Sequence, residues 1–209
     1  MKIFCVGRNY AKHARELGSP VPDEPIIFLK PASALLRGGG SFVYPSFTHE
    51  LHHEVELVLR IARWGKDIVL AEAGDYYDAL GIGIDLTARD LQDALKSKGL
   101  PWEKCKAFDG SAPVSESFIS LASFADLANI DFRIEKNGQL VQSGNSRNML
   151  FGFKDLVSHI SKFFTLEPGD LVFTGTPEGV GPVQVGDVLE CFLGNRAMLQ
   201  LEIHGRLEN

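Results

Sequence analysis

Glu54 and Glu56 are the residues of this chain whose types and spacing point most directly to chemistry. They lie in HHEVELVLR, residues 52–60, where valine and leucine dominate and neither Gly nor Pro intervenes, so a β-strand is predicted. Side chains alternate between the two faces of a strand. His52, Glu54, Glu56 and Val58 therefore share one face, and His53, Val55, Leu57 and Leu59 share the other, which is aliphatic in three of four positions and marks the core side. Two rises of ~3.4 Å put the two acids about 7 Å apart along the strand. Bare and buried, two such carboxylates repel, and at least one pKa rises. A hard divalent ion (Mg²⁺, Mn²⁺ or Ca²⁺) relieves both effects, since such ions prefer carboxylate oxygen. The spacing E-x-E is common by itself, and a merely solvated acidic face is the competing reading.

Further residues suit the same kind of site. Asp85 interrupts the apolar run LGIGIDL, residues 80–86. A lone carboxylate at the end of a buried strand needs a base, a set of donors or a metal. His13 and Glu16 are three apart in AKHARELG, so on a helix they share a face and can touch. A His–Glu contact raises imidazole basicity and fixes its tautomer, as a general base requires, although an incidental exposed pair has the same spacing. Lys30 ends the predicted strand IIFLKP. Lys104, Lys106 and Asp109 fall in residues 101–114, which lack periodicity and are read as an ordered loop, where lysines are usually exposed. The Gly/Pro-rich stretch in LVFTGTPEGVGPV could hold an anion through backbone N–H groups and threonine hydroxyls. It matches neither the Walker nor the Rossmann spacing.

The elements that must position these residues are legible in outline. A strand at residues 3–6 ends at Gly7, and Arg8-Asn9-Tyr10 leads into a short helix closed by Gly18. Pro20, Pro22 and Pro25 stiffen the loop that follows. Gly38 to Gly40 are read as a flexible turn, residues 42–44 as a short strand and 71–78 as a helix. Thr87 is a candidate N-cap for the helix TARDLQDALKSKG, stopped by Gly99 and Pro101; this places Asp85 at a strand–helix junction and Gln92 beside the same pocket. Residues 132–144 form a hairpin around Asn137-Gly138. Residues 151–164 carry helical spacing of Phe153, Leu156, Val157, Ile160 and Phe164, and a second hairpin turns at Gly194-Asn195. There is no repeat, linker or low-complexity segment, so residues 1–209 are read as one domain.

Composition narrows the function classes. The chain has 209 residues, 44% hydrophobic and 23% charged, as in an ordinary globular protein. A net charge of −6 without a basic run argues against nucleic acid or an anionic membrane as partner, but not against a small anionic substrate in a locally basic cleft. No apolar run approaches the ~20 residues of a membrane span, and the N-terminus turns polar too early for a signal peptide. Cys5, Cys105 and Cys191 are widely spaced and form no C-x-x-C pair. Reduced thiols in a cytoplasmic protein are therefore expected.

The segments VGRNYAKHARELG, PIIFLKP, HHEVELVL, GIDLTARDLQ, PWEKCKAFD and FTGTPEGVGP follow one another in an order that resembles the fumarylacetoacetate hydrolase family. The resemblance covers almost the whole chain and is nearest the small single-domain branch of acylpyruvases and oxaloacetate decarboxylases. It implies a fold of the α+β class, mainly β: a mixed β-sandwich roll with a few short helices. It also implies a homodimer and one Mg²⁺ or Mn²⁺ per subunit. It places the metal ligands on Glu54, Glu56 and Asp85, the substrate-side lysine on Lys106 and a catalytic dyad on His13 and Glu16. Arg8, Lys30, Gln92 and Thr176 fall on substrate-binding positions. The chemistry expected is cleavage of a C–C bond in a short 2-oxo acid, acylpyruvate hydrolysis releasing pyruvate, with oxaloacetate decarboxylation or keto–enol tautomerisation as alternatives on the same site. The segment 10–17, short and bracketed by glycines, is expected to act as a lid carrying His13 and Glu16. A β-rich binding protein whose acids are only a solvated face is the reading from another class.

Overall fold

The computed structural model describes residues 1–205 except Leu17 and Ser19. In chain order, β1 (Ile3–Gly7) leads into the short helix α1 (Ala11–Glu16) and on to β2 (Ile26–Lys30), β3 (Leu35–Arg37) and β4 (Gly39–Val43). Next come β5 (Leu51–His53), β6 (Val55–Ile61), β7 (Tyr77–Ile84) and β8 (Thr87–Ala88), then the helices α2 (Arg89–Ser97) and α3 (Glu103–Lys106). After β9 (Ala112–Val114) and β10 (Ile119–Ser120), the hairpin β11 (Asp131–Lys136) and β12 (Gln139–Asn145) precedes α4 (Phe153–Phe163). β13 (Leu171–Phe173), β14 (Gly181–Pro182), β15 (Val188–Leu193) and β16 (Arg196–His204) complete the fold.

These strands build two large mixed sheets and a small one. The eight-stranded sheet runs β2-β1-β13-β6-β7-β9-β3, with β10 also on β7; the five-stranded sheet runs β12-β11-β15-β16-β4, and β14-β5-β8 forms the third. The two large sheets face each other across one core. Leu57 and Leu59 of β6 and Leu80 and Ile82 of β7 join Ile134, Leu189, Cys191 and Leu201 there, all 0% exposed. The other face of the eight-stranded sheet is buried too, in a second cluster built from Ile3, Cys5, Val58, Leu171 and Phe173. This second burial decides the fate of Glu54 and Glu56. They share the face of Val58, so they are covered by protein instead of meeting solvent.

The mainly β architecture, both hairpins and α4 follow the sequence pattern. Asn137 and Gly138 both have positive φ, 54° and 75°, which suits a tight two-residue hairpin turn. Five local expectations are corrected. Residues 52–60 are not one strand: pairing breaks at Glu54, between β5 and β6. Gly39 and Gly40 belong to β4 instead of a turn. The backbone of β16 passes so close to Gly39 that a Cβ there would meet the Gln200 carbonyl at 2.1 Å. Residues 71–78 supply one 3₁₀ turn, Ala73–Asp75, because Gly74 is a poor helix former and Tyr77 is already recruited into β7 opposite Ile61. Residues 101–114 contain α3 and β9 as well as loop. Finally, Thr87 does not cap α2. It pairs with His52 across β5 and β8, its hydroxyl turns to the Asp85 carbonyl at 3.2 Å, and Ala88 occupies the N-cap.

Candidate active site

The acids converge from two adjacent strands. β6 and β7 pair antiparallel with Val55 opposite Ile84, which sets Glu54 and Asp85, the residues just beyond that pair, side by side. The Asp85 N–H donates to the Glu54 carbonyl at 2.8 Å, so the junction is fixed by the backbone itself. Strand alternation then brings Glu56 to the same side. One oxygen from each of Glu54, Glu56 and Asp85 lies within 4.8 Å of the others, and all three residues are buried.

Three cations meet these acids. Lys106, at the C-terminus of α3, donates to Glu54 Oε2 at 2.8 Å, Asp85 Oδ2 at 2.6 Å and Thr87 Oγ1 at 2.6 Å. Arg89, at the start of α2, donates to Glu54 Oε1 and to Gln92 Oε1, and its Nε lies 3.4 Å from His52 Nδ1. Lys30 sits beneath Asp85, with Nζ 2.8 Å from Oδ1. Its three protons, however, are directed to the Lys106 carbonyl and to the Ser111 carbonyl and hydroxyl. Asp85 Oδ1 is thus buried without an aligned donor among the described residues.

The balance of burial and charge separates the acids. Burial alone would raise the Glu54 carboxyl, but Lys106 and Arg89 outweigh it and hold Glu54 well below the usual carboxylate range. Burial and then the neighbouring charge of Asp85 push Glu56 well above that range; the Gly175 N–H, 2.7 Å from Glu56 Oε2, opposes them only partly. Lys106 is held above the ordinary lysine value: burial would lower it, but Asp85 and Glu54 prevail. A crowded set of hard oxygen donors, one strained toward its neutral form and one with an orphaned oxygen, fits a divalent ion.

A cleft of about 520 Å³, its open mouth included, lies over this cluster. Arg8, His13, Glu54, Glu56, Asp85, Gln92, Lys106 and Thr176 are among its lining residues, which brings together eight of the ten positions singled out in the sequence. His13 is buried, with Nδ1 3.2 Å from Glu16 Oε2. Glu16 stands behind it and accepts the Gly179 N–H at 3.1 Å, tying α1 to the loop after β13. Leu17, the last residue of the expected lid, lies outside the described residues. Lys30 does not reach the cleft wall, because its ammonium is consumed by the carbonyls beneath Asp85. Lys106, expected in an exposed loop, is 3% exposed, since α3 turns it inward. Sequence reasoning missed Arg89, Phe28 and Trp102, which also line the cleft, and Gln142, which lies behind it and accepts the Val55 N–H. Arg89 carried a usable signal, as it stands three positions before Gln92 on the same helix; Gln142 carried none.

Comparison with known proteins shows the family. The model of the fumarylacetoacetate (FAA) hydrolase C-terminal family matches residues 2–209. The chain belongs to that family. It is 46% identical over 191 residues to the mitochondrial oxaloacetate decarboxylase of Dictyostelium discoideum, covering 91% of this chain and 87% of that protein. It is 42% identical over 207 residues to the mitochondrial oxaloacetate tautomerase FAHD1 of Arabidopsis thaliana, covering 99% and 92%. Among solved structures it is similar to fumarylpyruvate hydrolase from Pseudomonas aeruginosa in complex with Mn²⁺ and pyruvate. That likeness has a TM-score of 0.90 at 37% identity and covers 100% of this chain and 90% of the other. This family member is an enzyme with the mixed β fold of its relatives, and its acidic triad can hold a metal ion. Among the described residues no helix is long and apolar enough to cross a membrane.

Proposed function

We propose that this enzyme catalyses metal-dependent keto–enol tautomerisation of oxaloacetate, with decarboxylation to pyruvate as the competing outcome. The observation that carries the reading is the buried triad of Glu54, Glu56 and Asp85, with Lys106 between two of its members and His13 on the same cleft wall. The relatives named for oxaloacetate support the substrate. A Mg²⁺ or Mn²⁺ ion held by the triad would supply Lewis-acid polarisation of the 2-oxo group. Lys106 contributes fixed positive charge where negative charge gathers on the C2 oxygen. Arg89 holds Glu54 and Gln92 in register, and Arg8 adds a cation to the wall for a substrate carboxylate. His13, backed by Glu16, takes the proton from C3 and delivers it to the C2 oxygen, and the reverse transfer restores the ketone. Because the His13 ring is buried, bulk water competes little for that proton.

Acylpyruvate hydrolysis is the second reading, supported by the fumarylpyruvate hydrolase neighbour and by the same dyad. There His13 would take a proton from water as it attacks the distal carbonyl, and the C–C bond would break. A homodimer is proposed with either reading and is checked by light scattering. The deciding experiment follows oxaloacetate enol decay, CO₂ release, and acetylpyruvate and fumarylpyruvate cleavage, each with Mn²⁺, Mg²⁺ or EDTA. Ion-dependent acceleration of oxaloacetate interconversion is expected. Rapid fumarylpyruvate hydrolysis with no effect on oxaloacetate would overturn the reading in favour of the second.

A further inference from the structure

The backbone between the two strand acids is held from outside its own sheet. β13 pairs with β6 only as far as Phe173 opposite Val58. Past that point the departing chain keeps contact through threonines. Thr174 donates its N–H and its hydroxyl to the Leu57 carbonyl at 3.1 and 3.0 Å, and the Thr176 hydroxyl donates to the Val55 carbonyl at 2.9 Å. The Val55 N–H is taken by a side chain from the opposite sheet, Gln142 Oε1 at 3.1 Å. Gln142 Nε2 in turn donates to Thr176 Oγ1 at 2.6 Å and the Pro177 carbonyl at 2.7 Å, and His53 Nδ1 lies 3.3 Å from Oε1. The amide orientation is chemically determined, because the Val55 N–H can only donate and the Pro177 carbonyl can only accept. Gln142 is 2% exposed and uses all of its hydrogen-bonding capacity.

The local backbone is shaped for this contact. The β11–β12 ladder shifts register between Ile134, opposite Gln142, and Glu135, opposite Leu140, so Val141 is an extra residue next to Gln142. Bulges of this kind re-aim a neighbouring side chain. The loop after β13 comes so near that a Cβ on Gly179, at φ +96°, would lie 2.9 Å from the Val141 carbonyl.

We propose that Gln142 is a positioning residue for metal binding: by clamping both polar groups of Val55, directly and through Thr176, it sets the separation of Glu54 and Glu56. It touches neither carboxylate. A loose Val55 peptide would let the two acids drift apart under their mutual repulsion before any ion arrives. This rests on the proposed metal role of the triad.

The test is calorimetric titration of the chelator-treated full chain with Mn²⁺ alone, on wild type, Gln142→Met and Thr176→Val, with melting temperatures measured in EDTA. Gln142→Met keeps volume and loses every polar contact; Thr176→Val breaks the same clamp at its other end. Gln142→Met should weaken the Mn²⁺ Kd by about 10- to 100-fold, the usual range for partners that orient metal ligands, and Thr176→Val should weaken it by a smaller factor. A lowered melting temperature with an unchanged Kd in folded Gln142→Met means a structural role only and overturns the inference. If Gln142→Met does not fold, an unchanged Kd in Thr176→Val overturns it equally. Wild type that takes up no Mn²⁺ would instead refute the metal reading beneath it.

Discussion

Replacing Lys106 by methionine should cost stability that a divalent ion can return. The ammonium is buried and contacts Glu54 Oε2 at 2.8 Å and Asp85 Oδ2 at 2.6 Å. Methionine fills similar space without charge and leaves both carboxylates short of a partner. Stranding one side of a buried ion pair costs roughly 3–5 kcal/mol. Arg89 still reaches Glu54 and Lys30 still faces Asp85, so the lower end, about 3 kcal/mol, is expected. For a chain of this size each kcal/mol moves Tm by about 2–4 °C, so the drop in EDTA is about 6–12 °C. Saturating Mn²⁺ at ~100 times its Kd stabilises by about 2.7 kcal/mol, nearly the whole deficit. The sign with pH follows from the raised lysine. Its contribution is fully present below the ordinary lysine pKa of about 10.4 and disappears only as pH rises through the still higher folded value, so the deficit should be flat between about pH 7 and 9. The assay is thermal unfolding by circular dichroism with EDTA or Mn²⁺. Equal melting temperatures for Lys106→Met and wild type in EDTA would refute the charge balance argued for the site.

Other substitutions separate the roles of neighbouring groups. His13→Ala should slow acylpyruvate hydrolysis by about 10²–10⁴-fold but oxaloacetate decarboxylation far less, since loss of CO₂ needs no activated water; equal losses on one preparation would exclude His13 as a water-activating base. Glu56→Gln keeps an acceptor for the Gly175 N–H, so the protein should fold yet lose Mn²⁺ binding by calorimetry, and wild-type affinity would remove Glu56 from the metal set. Asp90, partly exposed at the start of α2, accepts the His49 N–H at 3.0 Å, the Thr48 hydroxyl at 2.5 Å and the Leu91 N–H at 2.8 Å. Burial pushes its carboxyl up, but those donors prevail and hold it below the usual range, so its stabilisation is present above the unfolded value of about 3.9 and is lost as pH falls through the folded one. Asp90→Asn should therefore cost roughly 0.5–1 kcal/mol near pH 7, a figure already reduced for solvent screening, and nothing in strong acid; a pH-independent difference in urea midpoints would contradict this.

Periodicity and turn chemistry are local properties, and they were legible in the sequence. The alternation in residues 52–60 put Glu54 and Glu56 on one side, Asn137-Gly138 specified its hairpin, and the ordered motifs assembled the triad with His13, Glu16 and Lys106. Whether that acidic side met water or protein was not a local matter. It depended on the cluster in which Val58 is buried with Ile3, Cys5, Ala34, Ala112, Val114, Leu171 and Phe173, residues far apart in the chain that only the assembled sheet brings together. Lys106 looked like a loop lysine because α3 is a single turn with no amphipathic signature, and its direction is set by two acids on other strands. Thr87 was misread as a cap because a hydroxyl before a helix has the same sequence pattern whether it faces the helix or a buried ammonium. Gln142 had no signal at all. Its role arises only because one extra residue in β12 turns a glutamine toward a strand 87 positions away in the sequence, where β13 has run out and a backbone N–H would otherwise be buried alone.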